Sequence, residues 1–120
     1  MTCPYCQSEV KFYKDSILVY GRDYGALYVC SRYPRCDAYV GVHRGTTKPK
    51  GRLANKELRE WKKKAHAAFD PIWQRGRMRR GRAYELLAEK LGIPKKEDHI
   101  GMFDVAMCKR TVEIFLLRKH

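Results

Sequence analysis

Long hydrophobic runs are missing from this chain of 120 residues. None approaches the roughly 18 apolar residues of a membrane-spanning helix, and no apolar signal segment opens the chain. A soluble cytoplasmic protein with no membrane partner is therefore expected. Acidic residues are scarce, 13 Asp and Glu against 26 Lys and Arg, for a formal net charge of +13. Solubility needs no such excess, so a polyanion is the expected partner. Internal repeats and low-complexity tracts are absent as well, which leaves one or two small domains for this length.

The charge that is present is concentrated. Residues 1 to 47 hold six basic against four acidic side chains and residues 83 to 120 seven against six, whereas residues 48 to 82 hold thirteen against three, a net of +10. Phosphate contacts are expected in this middle third.

Four of the five cysteines fall in two clusters, Cys3-Pro4-Tyr5-Cys6 and the wider turn from Cys30 to Cys36. Two thiolates separated by a short turn bite one metal ion. Two such pairs suit Zn²⁺, which takes tetrahedral sulfur ligands at about 2.3 Å. A closed set of Cys3, Cys6, Cys30 and Cys36 leaves no position for substrate, so one structural zinc is expected, and His43 is not needed as a ligand. The metal supplies stability that so short a module cannot obtain from apolar burial. Two disulfides fit a reducing compartment poorly and leave an odd cysteine. An iron–sulfur cluster takes the same ligands and stays open. A thioredoxin-like redox pair calls for a strand-helix setting that this N-terminus does not offer.

Three runs rich in Val, Ile, Leu, Phe and Tyr, Glu9 to Tyr13, Ser16 to Tyr20 and Ala26 to Cys30, are predicted as strands, with Tyr39 to Val42 as a fourth. Asp15 and the Gly21 to Gly25 segment supply turns. Tyrosines 20, 24, 28, 33 and 39 offer faces for base stacking or packing over a thin sheet. The Gly, Thr, Pro and Lys content after Arg44 reads as a linker. Helical periodicity then begins after Asn55, with Leu58, Trp61, Ala65, Ala68 and Phe69 on one face and Lys56, Arg59, Lys63 and His66 on the other. Asp70 and Pro71 read as the N-cap and first residue of a short helix that returns Ile72 and Trp73 to the core. Tyr84, Leu87, Ala88 and Leu91 form a stripe closed by Gly92 and Pro94. A last helix follows Asp104 as N-cap and places Val105, Cys108, Val112, Phe115 and Leu116 on one face. Cys108 is read as a buried core thiol packing near Phe103.

The expected fold is therefore α+β: a four-cysteine zinc ribbon over residues 1–43, a basic linker over 44–54, and a helical domain of about four helices over 55–120 with a basic first half.

Two resemblances bear on this. The string Cys30-Ser-Arg-Tyr-Pro-Arg-Cys36-Asp-Ala-Tyr resembles the second knuckle of the zinc ribbons at the C-terminus of type IA DNA topoisomerases, which implies a ribbon that contacts single-stranded DNA and no strand passage. Over nearly the whole chain, the stretches Tyr20-Gly-Arg-Asp-Tyr-Gly25, Cys36-Asp-Ala-Tyr-Val-Gly41, Gly51-Arg-Leu-Ala-Asn55, Ala65-His66 with Phe69-Asp70, Ala83-Tyr84 and His99-Ile-Gly-Met-Phe-Asp104 resemble a family of small phage and prophage proteins named for a zinc-finger-containing domain. That resemblance implies a ribbon fused to a helical tail, in a host cytoplasm, and no particular activity. Arg79 and Gly81 depart from the Ser or Thr that family members often place near the third helix start.

The function expected is non-catalytic binding of nucleic acid, single-stranded or non-specific DNA above all. Tyr33, Arg35 and Tyr39 of the ribbon, Lys48, Lys50 and Arg52 after it, Lys56, Arg59 and Lys63 on the first helix, and the tract Arg75, Arg77, Arg79, Arg80 and Arg82 are its candidate contacts. An effector that docks on a host protein through its basic face is the alternative. A small metal-dependent nuclease is a third, resting on His66 with Asp70 and His99 with Asp104, although N-capping explains both aspartates without catalysis. Oligomeric state is left open.

Overall fold

The structure is a computed structural model and describes residues 1–76 and 78–116, with the Leu116 side chain excepted. A three-stranded antiparallel sheet is followed by four helices, the expected α+β arrangement. The chain divides into two compact units, residues 1–57 and a second beginning at Leu58. No described helix is long and apolar enough to cross a membrane.

In the first unit, strands β1 (Val10–Tyr13), β2 (Leu27–Cys30) and β3 (Tyr39–Gly41) pair in the order β1-β2-β3, with Val10 opposite Cys30 and Leu27 opposite Gly41. The predicted strand at Ser16 to Tyr20 is instead one helical turn, α1 (Ile17–Tyr20). Local hydrogen bonds decide this against strand propensity. Asp15 Oδ1 accepts the Ile17 N–H at 3.1 Å, the Ser16 carbonyl accepts from Val19 and Tyr20, and Gly21 closes the turn in the left-handed region at φ 72°.

Residues 44–54 are not a linker. The chain turns at Gly45 and runs back along β3, with bridges between Val42 and Pro49 and between Tyr39 and Ala54. The Lys50 N–H donates to Gly41 at 2.8 Å, and Tyr39 and Ala54 exchange two bonds of 3.1 and 3.0 Å. Two tyrosine hydroxyls fasten the same segment, Tyr28 to the Thr47 carbonyl at 2.7 Å and Tyr5 to the Leu53 carbonyl at 3.1 Å. Leu53 and Ala54 are buried. The ribbon unit thus ends at Glu57 rather than at residue 43.

The second unit is built on α2 (Lys56–Phe69, entered from the first unit), α3 (Pro71–Gln74), α4 (Arg80–Leu91) and α5 (Val105–Leu116). Phe69 is fully buried, and its ring meets Tyr84 edge-on at 4.7 Å and Phe115 at 5.4 Å. Leu58, Ala65, Ala68, Leu87, Leu91, Ile100, Phe103 and Cys108 complete this core. Burial pushes the Cys108 thiol up to about 11, as for an inert core cysteine. Gly92 ends α4 at φ 71° with its N–H on the Ala88 carbonyl, as its position past the apolar stripe predicts.

Several helical expectations are corrected. Trp61 is only half-buried, and the ammonium groups of Lys64 and Lys109 lie over its ring at 4.4 and 5.2 Å. Asp70 is no N-cap: its backbone is helical, at φ −58° and ψ −32°, and no side-chain cap forms, so α2 passes into α3 with hardly a break. Ile72 and Trp73 stay half-buried. On α5 the fully buried polar position is Thr111, whose hydroxyl donates to the Met107 carbonyl at 2.9 Å, while Val105 and Val112 are half-buried. The Leu116 side chain lies outside the described residues. Asp104 does cap α5, accepting the Met107 N–H at 2.9 Å.

Asp98, between two single 3-10 turns, is 2% exposed, and its two carboxylate oxygens accept no hydrogen bond from a described residue. Burial raises its carboxyl to about 6 from 3.8, against a lowering effect of His99. As pH rises from 4 towards 6 the unfolded carboxyl ionises while the folded one stays protonated, so folding loses free energy and above about 6 carries a constant penalty. Asp98→Asn should therefore gain on the parent by on the order of 2 kcal/mol between pH 4 and pH 7.5. Urea titrations across that range check this, and a difference independent of pH would contradict it.

Candidate metal centre

The first knuckle is a tight turn. The Gln7 N–H donates to the Cys3 carbonyl at 2.9 Å and the Cys3 N–H to the Ser8 carbonyl at 2.8 Å. Gln7 adopts φ 64°, a conformation that costs a side-chain-bearing residue about 1–2 kcal/mol. The second knuckle is a pair of overlapping turns, with Tyr33 N–H on the Cys30 carbonyl at 3.0 Å and Cys36 N–H on the Arg32 carbonyl at 3.3 Å. The strand pairing of Val10 with Cys30 sets the two knuckles face to face.

As a result the four Sγ atoms of Cys3, Cys6, Cys30 and Cys36 all lie within 4.8 Å of one another. Cys3 to Cys36 is 3.6 Å and Cys6 to Cys30 is 3.4 Å. Four sulfurs at about 2.3 Å around one tetrahedral ion stand roughly 3.8 Å apart, so the set fits a single Zn²⁺. A multi-iron cluster, with several metals between the same sulfurs, needs them farther apart, and all four cysteines are unbridged.

Hydrogen bonds tune the thiols unequally. The Ser8 hydroxyl and N–H hold Cys6 down at about 6. Burial raises Cys30, against the Arg32 N–H, and pushes Cys36 up to about 12, against the Ala38 N–H. Charge at the centre is what allows all of these sulfurs to be thiolates together, and a divalent cation supplies it. Cys3 and Cys30 are buried with Ala38, Val40 and Leu53, so the ligands are themselves part of the ribbon's interior.

A family model described as a zinc-finger-containing domain matches residues 1–117 of this chain. The chain belongs to that family. No curated protein and no solved structure matches it. For this member of the zinc-finger-containing domain family, one structural zinc on the four cysteines follows from the family and the geometry together.

The remaining candidates are distributed as follows. In the first unit Lys48, Lys50, Arg52 and Lys56 are exposed on or after the segment packed against β3. Arg35 is exposed and Tyr33 half-buried on the second knuckle, and the half-buried Tyr39 ring stands edge-on to Tyr20 at 5.7 Å. In the second unit Lys63, Arg75, Arg79, Arg80 and Arg82 are exposed and Arg59 is half-buried, whereas Arg77 lies outside the described residues. Arg82 is spent on Glu85 at 3.0 Å, and Lys95 approaches the same carboxylate at 3.3 Å. Arg80 stacks between rings, 4.9 Å from Tyr84 and 5.6 Å from Trp73. Arg79 occupies the N-cap of α4 without a side-chain cap bond, in keeping with the missing Ser or Thr.

Of the histidine and aspartate pairs, only His66 and Asp70 meet, at 3.1 Å. Asp70 also accepts the Trp73 indole N–H at 3.2 Å, so both of its oxygens are engaged in joining α2 to α3. His99 faces Tyr84 at 5.9 Å while Asp104 caps its own helix. Among the described residues no second group of three or more His, Cys, Asp or Glu is placed to hold a metal, and His43 stays outside the one that is.

Chelation should therefore abolish the ribbon's strand signal while the helical circular dichroism persists, and native mass spectrometry should find one zinc per chain that Cys36→Ser loses. A strand signal that survives metal removal would show that the sulfurs do not need the ion.

Proposed function

We propose that this protein binds nucleic acid without catalysis, single-stranded or non-specific DNA being the favoured target, with the zinc ribbon as scaffold and residues 48–82 holding phosphates. The observation that carries the reading is the net charge of +10 in that segment. Its geometry supports the same conclusion. Lys48, Lys50 and Arg52 are exposed on a segment ordered by the sheet rather than on a loose tether. The Arg80 guanidinium lies over the Tyr84 and Trp73 rings, keeps its charge there and stays exposed to solvent. A host cytoplasm, the setting that the sequence resemblance implies, is in keeping with this reading.

Salt is the test. Each phosphate neutralised contributes about 0.9 to the log–log slope of affinity against salt on duplex and about 0.7 on a single strand, so the double variant Arg79→Ala with Arg80→Ala should lower that slope by about 1.4 to 1.8. Mobility shifts with single-stranded, duplex and RNA oligonucleotides measure it. Absence of binding to all three at about 50 mM salt would reject the reading.

A second reading, docking on a host protein, is favoured by α1, which buries none of its side chains and leaves Ile17 54% and Leu18 49% exposed. It requires a protein that co-purifies after nuclease treatment and is lost with Ile17→Ser and Leu18→Ser. Co-purification unaffected by both substitutions would remove α1 from consideration.

A further inference from the structure

Three tyrosines of the ribbon unit form a chain of edge-on rings. Tyr24 meets Tyr20 at 5.5 Å and Tyr20 meets Tyr39 at 5.7 Å. The ring at its outer end, Tyr24, is 72% exposed, yet its backbone is firmly held. Buried Ser16 accepts the Tyr24 N–H at 2.6 Å and donates to the Arg22 carbonyl at 3.1 Å, while Asp23 accepts the Gly25 N–H at 2.9 Å. Gly21 and Gly25 take positive φ, 72° and 113°, which lets the loop fold back on Ser16. A large ring on a pinned loop, left in water, is an arrangement for contact rather than for packing.

Beside these rings lies a groove of about 470 Å³ floored by Ala26, Leu27, Gly41 and Val42, and Lys50 runs along it with its Cδ 3.6 Å from where a Cβ on Gly41 would stand. A second hollow of about 470 Å³ continues from Tyr24 and Lys50 past His43 and Arg44. Among the described residues no Asp or Glu lines either one. Apolar floor, tyrosine wall and cationic rim together suit a flat heterocycle with a negative charge attached.

We infer that this double groove takes unpaired nucleotides of a single strand, a base against Tyr24 and Tyr20 and the adjoining phosphates on Lys50 and Arg44. The inference rests on the nucleic-acid reading and adds a base-accepting site on the ribbon, apart from the arginine tract. A base offers its face only when it is unstacked, so duplex cannot use the groove. Two contiguous hollows exceed one nucleotide in extent, which favours a strand over a free mononucleotide.

The test uses the full-length, zinc-loaded protein and two fluorescent strands of about 12 nucleotides, within the usual range of single-strand sites, one of thymidines and one abasic with the same phosphates. Tyr24→Ala should weaken binding to the thymidine strand about tenfold, the size of one stacking contact, and leave the abasic strand and the salt slope unchanged. Tyr24→Phe should restore the affinity. Tyr24 is exposed, and retained zinc stoichiometry will confirm that the variant is folded. An unchanged ratio of thymidine to abasic affinity in both Tyr24→Ala and Tyr20→Ala would overturn the groove while leaving phosphate binding by the arginines intact. Displacement of the strand by thymidine monophosphate at equal concentration would overturn the strand as occupant. Failure of the parent protein to bind any nucleic acid would instead reject the underlying function, and the groove with it.

Discussion

Holding four sulfurs within 4.8 Å of one another is the constraint on which the ribbon depends. The buried cluster around the sulfurs holds Cys3, Cys30, Ala38, Val40 and Leu53, and the same unit buries only a few more small or medium apolar residues, Leu27, Val29, Val42 and Ala54 among them. Such a cluster is too small to fold a sheet on its own. The ion therefore supplements a small core. Its influence reaches the basic segment through Tyr5, which sits between the first two ligands and donates to the Leu53 carbonyl. Arg52, next to Leu53, is thus tied to the knuckle that binds the metal, while Lys48 and Lys50 are held by backbone bonds with His43 and Gly41.

Cysteine spacing made this centre legible from residues alone, because thiolate chemistry and turn length leave few alternatives. The helix stop at Gly92 and the cap at Asp104 were legible for the same reason, each being a local rule satisfied locally. What failed were inferences in which local composition stood in for long-range contacts. Gly, Thr, Pro and Lys after Arg44 read as a linker, yet backbone bonds to Gly41 and Tyr39 and hydroxyls from Tyr5 and Tyr28, none of them adjacent in sequence, hold the segment on the ribbon. Ile17 to Tyr20 has strand composition but is captured by Asp15 and Ser16 beside it. Asp70 precedes Pro71 as a cap would, but its carboxylate is claimed by His66 and Trp73. Thr111 escaped notice because an apolar stripe does not reveal a hydroxyl satisfied by its own helix.

Charge counted along a chain is likewise not charge presented to a ligand. Arg82 and Lys95 both approach Glu85, holding its carboxyl below the usual range, so part of the cationic excess is already answered within the fold. Arg80 differs, because aromatic faces attract a guanidinium without cancelling its charge. Two arginines two positions apart therefore have different value to a phosphate, and only geometry separates them.

The tyrosines make the same point about aromatic residues. Tyr5 and Tyr28 spend their hydroxyls on backbone carbonyls and tie the ribbon together. Tyr84 is buried against Phe69 and belongs to the helical core. Tyr24 and Tyr20 keep large exposed areas although the sheet beside them offers a groove in which a ring could be covered. Burying such a ring stabilises a small domain substantially, so a loop pinned by Ser16 and Asp23 to hold Tyr24 outward forgoes that stabilisation. A ligand that covers the ring would recover it. The unpaired base proposed above, with its phosphate on the adjacent cations, would do so, whereas an acidic or purely aliphatic surface would match one half of the groove and leave the other unmatched.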